Sequence, residues 1–213
     1  MNPISQHIDY THLNPFTVHA NLDRLCREAM QHKFVCVCVP PTCVAAAVAL
    51  LIGSQVKVCS VVGFPHGLQS TEVKCFEAKE LVSLGAKELD WVINPFWVKQ
   101  KSWQVIRSEL ADFQAICGQN GIISKIIIES SELDFEEIEI ICDICTGVSV
   151  SYVKTSTGFA SKGAELDKVL FMRKCLPSHI KIKASGGIRD LPTARAFIEA
   201  GADRIGTSTL IEE

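Results

Sequence analysis

Lys154, Lys183 and Asp90 are the residues whose types and positions could carry a reaction. Lys154 lies in Tyr152-Val153-Lys154-Thr155-Ser156-Thr157-Gly158, near the end of an apolar run where a long cation is out of place. Lys183 occupies the same situation in Lys181-Ile182-Lys183-Ala184-Ser185-Gly186-Gly187, and Asp90 is a carboxylate inside Glu88-Leu89-Asp90-Trp91-Val92-Ile93-Asn94. An ordinary lysine titrates near about 10.4 and is a protonated, non-nucleophilic group at neutral pH. Burial and a neighbouring ammonium both disfavour the charged form, so two lysines brought together from adjacent strands can leave one amine free to attack a carbonyl. Asp90 could then pass a proton through water. Taken singly, each lysine is more often a snorkelling cation or half of a buried ion pair. Two of them on consecutive strands, each followed by a loop of small residues, shift the balance toward chemistry.

Those loops carry a second signal. Thr157-Gly158, Ser185-Gly186-Gly187 and Gly206-Thr207-Ser208-Thr209 follow three successive strand candidates with exposed backbone N–H groups and hydroxyls, which suit a phosphate. Glycine after a strand is also ordinary turn chemistry, so each loop alone is weak. His66, in Gly63-Phe64-Pro65-His66-Gly67, could donate to a substrate hydroxyl, and Asp9 could orient a hydroxyl or pair with a site lysine. Lys125 and Glu129 bracket another apolar run and could complete a charge network. The histidines show no helical metal-ligand spacing. Ten cysteines are read as reduced core thiols, since neither Cys36/Cys38 nor Cys142/Cys145 has a partner pair at zinc-ribbon spacing. No metal and no cofactor is expected.

Positioning these residues requires a repeating scaffold. Apolar, β-branched runs alternate with helical periods at intervals of about 25 to 30 residues, the size of a βα unit. Eight strand candidates result: His7 to Tyr10, Phe34 to Val39, Lys57 to Val62, Glu88 to Ile93, Ser124 to Glu129, Ser151 to Thr155, Ile180 to Ala184 and Asp203 to Thr207. Helical stripes are plainest at Val18, Leu22, Leu25 and Ala29, and at Trp103, Ile106, Leu110, Phe113 and Cys117. Leu84-Gly85-Ala86 and Ala200-Gly201-Ala202 echo one another as glycine helix ends before a strand. Strand count alone leaves a closed barrel and an open doubly wound sheet both open. With 213 residues and no linker or low-complexity stretch, one α/β domain over residues 1–213 is expected. A net charge of −3 with interleaved signs provides no basic face for nucleic acid, and no apolar run reaches a membrane span. Without a secretion-like N-terminus, the expected location is cytoplasmic.

The chain resembles the 2-deoxyribose-5-phosphate aldolases, class I aldolases of (β/α)8 TIM-barrel fold. The likeness runs from Ile8-Asp9-Tyr10-Thr11 through Val61-Val62-Gly63-Phe64-Pro65, Glu88-Leu89-Asp90 and Lys125-Ile126-Ile127-Ile128-Glu129. Its specific motifs are Val153-Lys154-Thr155-Ser156-Thr157-Gly158-Phe159, Lys183-Ala184-Ser185-Gly186-Gly187-Ile188-Arg189 and Arg204-Ile205-Gly206-Thr207-Ser208. The resemblance implies that Lys154 is the Schiff-base lysine, Lys183 the second lysine and Asp90 the proton relay. It implies phosphate-binding positions at Thr157, Gly158, Gly186, Gly187, Gly206 and Ser208, and Asp9 and Thr155 are expected as further substrate-binding residues.

Tyr10 and His12 stand where the family often has His and Leu, and Asn94-Pro95-Phe96 replaces a more usual Asn-Ile-Gly. These departures touch substrate fit more than the catalytic set. The chain ends at Glu213, so a truncated eighth helix and a mouth covered by a partner subunit, in a homo-oligomer such as a dimer, are expectations. The implied reaction is reversible cleavage of 2-deoxyribose 5-phosphate to glyceraldehyde 3-phosphate and acetaldehyde. Another Schiff-base sugar-phosphate aldolase, transaldolase-like, and a catalytically silent sugar-phosphate-binding barrel are the alternatives.

Overall fold

The computed structural model describes residues 3–211. Eight parallel strands, β1 (Ile8–Thr11), β2 (Cys36–Val39), β3 (Lys57–Val62), β4 (Glu88–Val92), β5 (Ile123–Ile127), β6 (Tyr152–Lys154), β7 (Lys181–Ser185) and β8 (Arg204–Thr207), close into a barrel in chain order. The ring is completed where β1 pairs with β8, Ile8 opposite Ile205. This decides the barrel against the open sheet. Every strand expectation is met within a residue or two, the usual scatter of element ends.

Eight helices surround the barrel: α1 (His19–Gln31), α2 (Val44–Leu50), α3 (Thr71–Ser83), α4 (Pro95–Lys99), α5 (Trp103–Asn120), α6 (Phe135–Val148), α7 (Leu166–Cys175) and α8 (Leu191–Glu199). The number is reached because two helices follow β4, while none follows β8 among the described residues. The expected remnant beyond Ile211 lies outside the described residues. No helix among them is long and apolar enough to cross a membrane.

The helical stripes pack as their period requires, with Leu22, Leu25, Cys26 and Ala29 of α1 and Ile106, Leu110, Phe113 and Cys117 of α5 buried against the strands. Val18 departs from the expectation. It is the residue before α1 and is 59% exposed, because extended backbone there turns its side chain off the helical stripe. Both echoed glycines take positive φ, 103° at Gly85 and 107° at Gly201. The amides of Ala86 and Ala202 reach back to Leu81 and Phe197 carbonyls, closing α3 and α8 in the way a left-handed residue permits.

Outward-facing strand residues such as Leu89, Trp91, Ile126 and Ile182 form the main core under the helices, leaving alternate positions to face inward. One charged pair sits in that outer layer. Lys74 of α3 is ion-paired with Glu109 of α5, and Glu109 also accepts the Trp91 indole N–H at 2.8 Å. The Lys74 ammonium lies 4.6 Å from the centre of the Trp91 ring and donates to Val92 O at 3.1 Å and Gly67 O at 3.4 Å. It thereby ties the β3–α3 loop to the C-terminal end of β4.

Lys74→Met would leave the Glu109 carboxylate buried with one donor, and the expected cost is about 3–5 kcal/mol of unfolding free energy in urea denaturation. Lys74→Met with Glu109→Met, which removes both charges, should recover most of that loss. An equal loss in both variants would show that side-chain packing, rather than the stranded charge, sets the cost.

Candidate active site

Inside the barrel, strand alternation and shear bring seven ionisable side chains together: Asp9 of β1, Glu88 and Asp90 of β4, Lys125 of β5, Lys154 of β6, Lys183 of β7 and Arg204 of β8. Asp90 is the hub. Its Oδ2 accepts from Lys154 Nζ at 2.8 Å and Lys183 Nζ at 3.0 Å, while its Oδ1 accepts from Lys125 Nζ at 2.8 Å and the Cys59 thiol at 3.1 Å. Lys183 also lies 2.7 Å from Asp9, Lys125 lies 2.6 Å from Glu88, and Arg204 joins Asp9 to Glu88. The side chains of Lys125 and Lys183 are 0% exposed and that of Lys154 is 3% exposed. Lys154, the last residue of its strand, stands nearest the mouth.

Burial opposes every one of these charges, and their mutual attraction overcomes it. Against desolvation, Lys125, Lys154 and Lys183 hold the Asp90 carboxyl well below the usual carboxylate range, and Lys183 with Arg204 does the same for Asp9. Despite the same desolvation, Asp90 raises Lys125, and Asp9 with Asp90 raises Lys183, well above the ordinary lysine value. The two expected lysines thus do share one cavity, with both nitrogens on one carboxylate oxygen. The expectation of a bare ammonium crowding its neighbour requires correction, because Asp90 lies between the two amines and Asp9 holds Lys183 as a firm cation. Lys154 differs from Lys125 and Lys183 in touching one carboxylate where each of them touches more.

The anion-binding expectations divide. Gly186 and Gly187 take consecutive positive φ of 88° and 80°, and Gly187 and Ser208 are exposed at the mouth with Gly158. Gly186 and Gly187 border a cavity of about 450 Å³ with Gly163, Ala164 and Thr193. There a Cβ on Gly163 would lie 2.1 Å from Gly186 O, so two loops meet backbone to backbone at a glycine that the sequence reading passed over. The N-terminus of α8 is closed by Asp190, whose carboxylate takes the Thr193 N–H at 2.8 Å.

Three expected contacts face elsewhere. Thr155 is buried, its hydroxyl donating to Ser185 O and accepting from Ser185 N, which stitches the end of β6 to β7. Thr157 presents both its N–H and its hydroxyl to Glu129. Gly206 is buried in β8, where a Cβ would meet Ser185 Cβ at 2.8 Å and Lys183 Cε at 3.1 Å, so it makes room for the lysine. Tyr10 likewise leaves the mouth: its hydroxyl donates to Glu28 of α1 at 2.6 Å, since Asp9 points inward and alternation turns Tyr10 outward. Asn94 caps α4 through the Phe96 N–H at 3.0 Å.

Glu129 stays out of the ionic cluster that Lys125 joins, and holds Thr157 from a left-handed backbone with φ 51°. Together with His66, Val92, Ile127 and Phe159 these two residues line a cavity of about 320 Å³. Ile127, which lines this space, is the β5 register partner of Lys154. Phe64 and Phe159 meet edge to face at 5.2 Å, joining the β3–α3 and β6–α7 loops. Two donor sets, Cys38/Cys59/Asp90 and Asp9/Cys36/Glu88, each gather within 4.8 Å. Their carboxylates are already taken by lysine and arginine, so a cation there would have to displace an ion pair.

A buried amine that shares a carboxylate oxygen with a second lysine, at the strand ends of a closed barrel, suits an aldolase, and comparison with known proteins agrees. The model of the DeoC/LacD family aldolases matches residues 6–211. The chain belongs to that family. Relatives called deoxyribose-phosphate aldolase include one from Bacteroides thetaiotaomicron, 42% identical over 205 residues that cover 96% of this chain and 86% of the relative. Another, from Natranaerobius thermophilus, is 43% identical over 213 residues covering 100% of this chain and 96% of its own. The solved tetrameric deoxyribose phosphate aldolase from Aeropyrum pernix superposes with a TM-score of 0.90 at 32% identity, covering 97% of this chain and 87% of that one. In this DeoC/LacD family member the inward residues not singled out from sequence are Glu88, Arg204 and Cys59. Alternation from Asp90 reaches Glu88 two residues away, whereas Arg204 and Cys59 enter only through the register of neighbouring strands.

The paired shifts define a stability window. Carboxyls depressed by folding stabilise above their unfolded value and lose that contribution as pH falls; lysines raised by folding stabilise below theirs and lose it as pH rises. Unfolding free energy from urea denaturation should therefore be level between about pH 5 and about pH 10, declining below about 4 and above about 10.4. A decline beginning near neutral pH would contradict the charge assignment.

Proposed function

We propose that this aldolase cleaves 2-deoxyribose 5-phosphate reversibly to glyceraldehyde 3-phosphate and acetaldehyde through a Schiff base on Lys154. The observation that carries the reading is the position of Lys154: the last residue of β6, sharing one Asp90 oxygen with Lys183. An amine so placed, once its proton has passed to water at the mouth, can attack a carbonyl that enters there, while Lys183 remains a cation that stabilises developing negative charge.

The open-chain substrate presents its C1 aldehyde to Lys154. The N–C bond forms, water leaves and an iminium results. Asp90, acting through water with Lys183 beside it, takes the C3 hydroxyl proton. The C2–C3 bond then breaks and its electron pair flows into the iminium, leaving an enamine and releasing glyceraldehyde 3-phosphate. Protonation at C2 and hydrolysis free acetaldehyde and restore the amine. The iminium takes the part of an electron sink that a metal ion would otherwise play. Gly186, Gly187, Gly158 and Ser208 are assigned to the phosphate, with Asp9 acting on substrate through Lys183. Thr155, Thr157 and Gly206 are assigned to shaping the loops and making room.

The enzyme is further read as cytoplasmic, its ten cysteines all free thiols. It is read as a homo-oligomer, a dimer at simplest, in keeping with the tetrameric relative.

Borohydride added with substrate should leave a reduced adduct on Lys154, and acetaldehyde release should fall about 10³-fold or more in Lys154→Ala. Activity should persist in EDTA. An adduct on another lysine would overturn the nucleophile assignment, and loss on chelation with rescue by a divalent cation would overturn the Schiff-base mechanism.

A further inference from the structure

The barrel interior has two unlike halves. The ionic cluster is supplied by β1 and by β4 to β8, whereas β2 and β3 contribute Cys36, Cys38, Cys59 and Val61, a small apolar group with Leu13 and Phe64 packed on it. One member of the apolar half reaches the ionic half. Cys59 Sγ lies 3.1 Å from Asp90 Oδ1 and 3.3 Å from Lys125 Nζ. Against burial, the largest single influence, and against the Asp90 carboxylate, whose contact decides the local state, donation from Cys36 and Cys38 and the Lys125 ammonium pull the Cys59 thiol down to about 5. Two anions do not rest at 3.1 Å without a proton between them, so the thiol form fits this contact and donates to Oδ1.

The consequence is directional. Oδ1 receives Lys125 from β5 and Cys59 from β3, the strands on either side of β4, and both donors are buried. Oδ2 receives Lys154 and Lys183. Oδ1 is thus the anchored oxygen and Oδ2 the working one. Lys125 alone would hold the carboxylate from one flank, and Lys125 is itself drawn toward Glu88 at 2.6 Å. A donor on the opposite flank keeps the group from turning about its Cβ–Cγ bond.

We propose that Cys59 is a positioning residue for the aldolase reaction: its thiol, donating to Asp90 Oδ1 from β3, keeps Oδ2 aimed at Lys154 and Lys183 through the proton transfers. This rests on the assignment of Asp90 as the proton carrier. Cys59 makes no contact with the reacting atoms and acts through Asp90.

Cys59→Val and Cys59→Ser test it. Valine suits a strand and removes the S–H while adding about one methyl group, which the melting temperature monitors, whereas serine restores a donor. In Cys59→Val, kcat for acetaldehyde release should fall about tenfold, the lower range for a hydrogen bond to a charged group, with KM within about twofold and the melting temperature little changed. Cys59→Ser should return kcat to within about threefold of wild type. The borohydride adduct on Lys154 should still form in Cys59→Val, because the nucleophile is untouched. A wild-type kcat in Cys59→Val overturns the proposal, as does an equal loss in both variants that follows a falling melting temperature, since that is packing. Neither adduct nor turnover in the wild-type protein would instead overturn the aldolase reading, and the positioning role with it.

Discussion

The carboxylate of Asp90, fixed between four donors in the middle of a closed barrel, is the interaction on which the rest of the structure depends. Two of its donors are the amines proposed for chemistry, and two are wholly buried groups on the neighbouring strands. Without it, Lys125, Lys154 and Lys183 would be three cations confined among Asp9, Glu88 and Arg204. The cost of leaving such charges unpaired away from water is several kcal/mol each. Closure of the barrel is what makes the pairing available, since Asp9 and Arg204 meet only because β1 and β8 are neighbours.

Everything around this hub limits how the carboxylate and the amines can move. Gly206 leaves the space that the Lys183 side chain fills, and Thr155 locks the end of the Lys154 strand to β7. Glu129 gathers the loop after β6 through Thr157, and Gly163 lets that loop meet Gly186. Behind β4, the Lys74–Glu109 pair holds the Val92 carbonyl just beyond Asp90. A rigid surround of this kind suits a reaction that moves protons among fixed groups, because geometry set before substrate arrives does not have to be organised during the reaction.

Much of this was legible in the residues. Lys154 and Lys183 stand out because a long cation inside an apolar run demands a reason, and the alternation of βα units located every strand. What was not legible depended on which groups meet across the ring. Arg204 and Cys59 read as strand end and core until the strand register sets β8 beside Lys183 and β3 beside Asp90, and closure brings β8 to β1. Thr157 reads as an open donor and Thr155 as a substrate contact because a motif records residue types and not whether their hydrogen bonds are already spent within the fold. The place of Tyr10 follows from strand alternation alone: once Asp9 faces inward, its neighbour on the strand must face α1. Lys74 and Glu109 lie on different helices, and their meeting is a matter of packing that neither helix displays.

The most direct measurement is the titration of the Asp90 carboxyl carbon by ¹³C NMR, assigned by its absence in Asp90→Asn. A carboxylate clamped by three ammonium groups gives a shift that stays at the ionised value from about pH 9 down to the onset of acid unfolding. A titration step at about pH 4 or above in the folded protein would show a carboxyl that these amines do not hold, and would contradict the site as described.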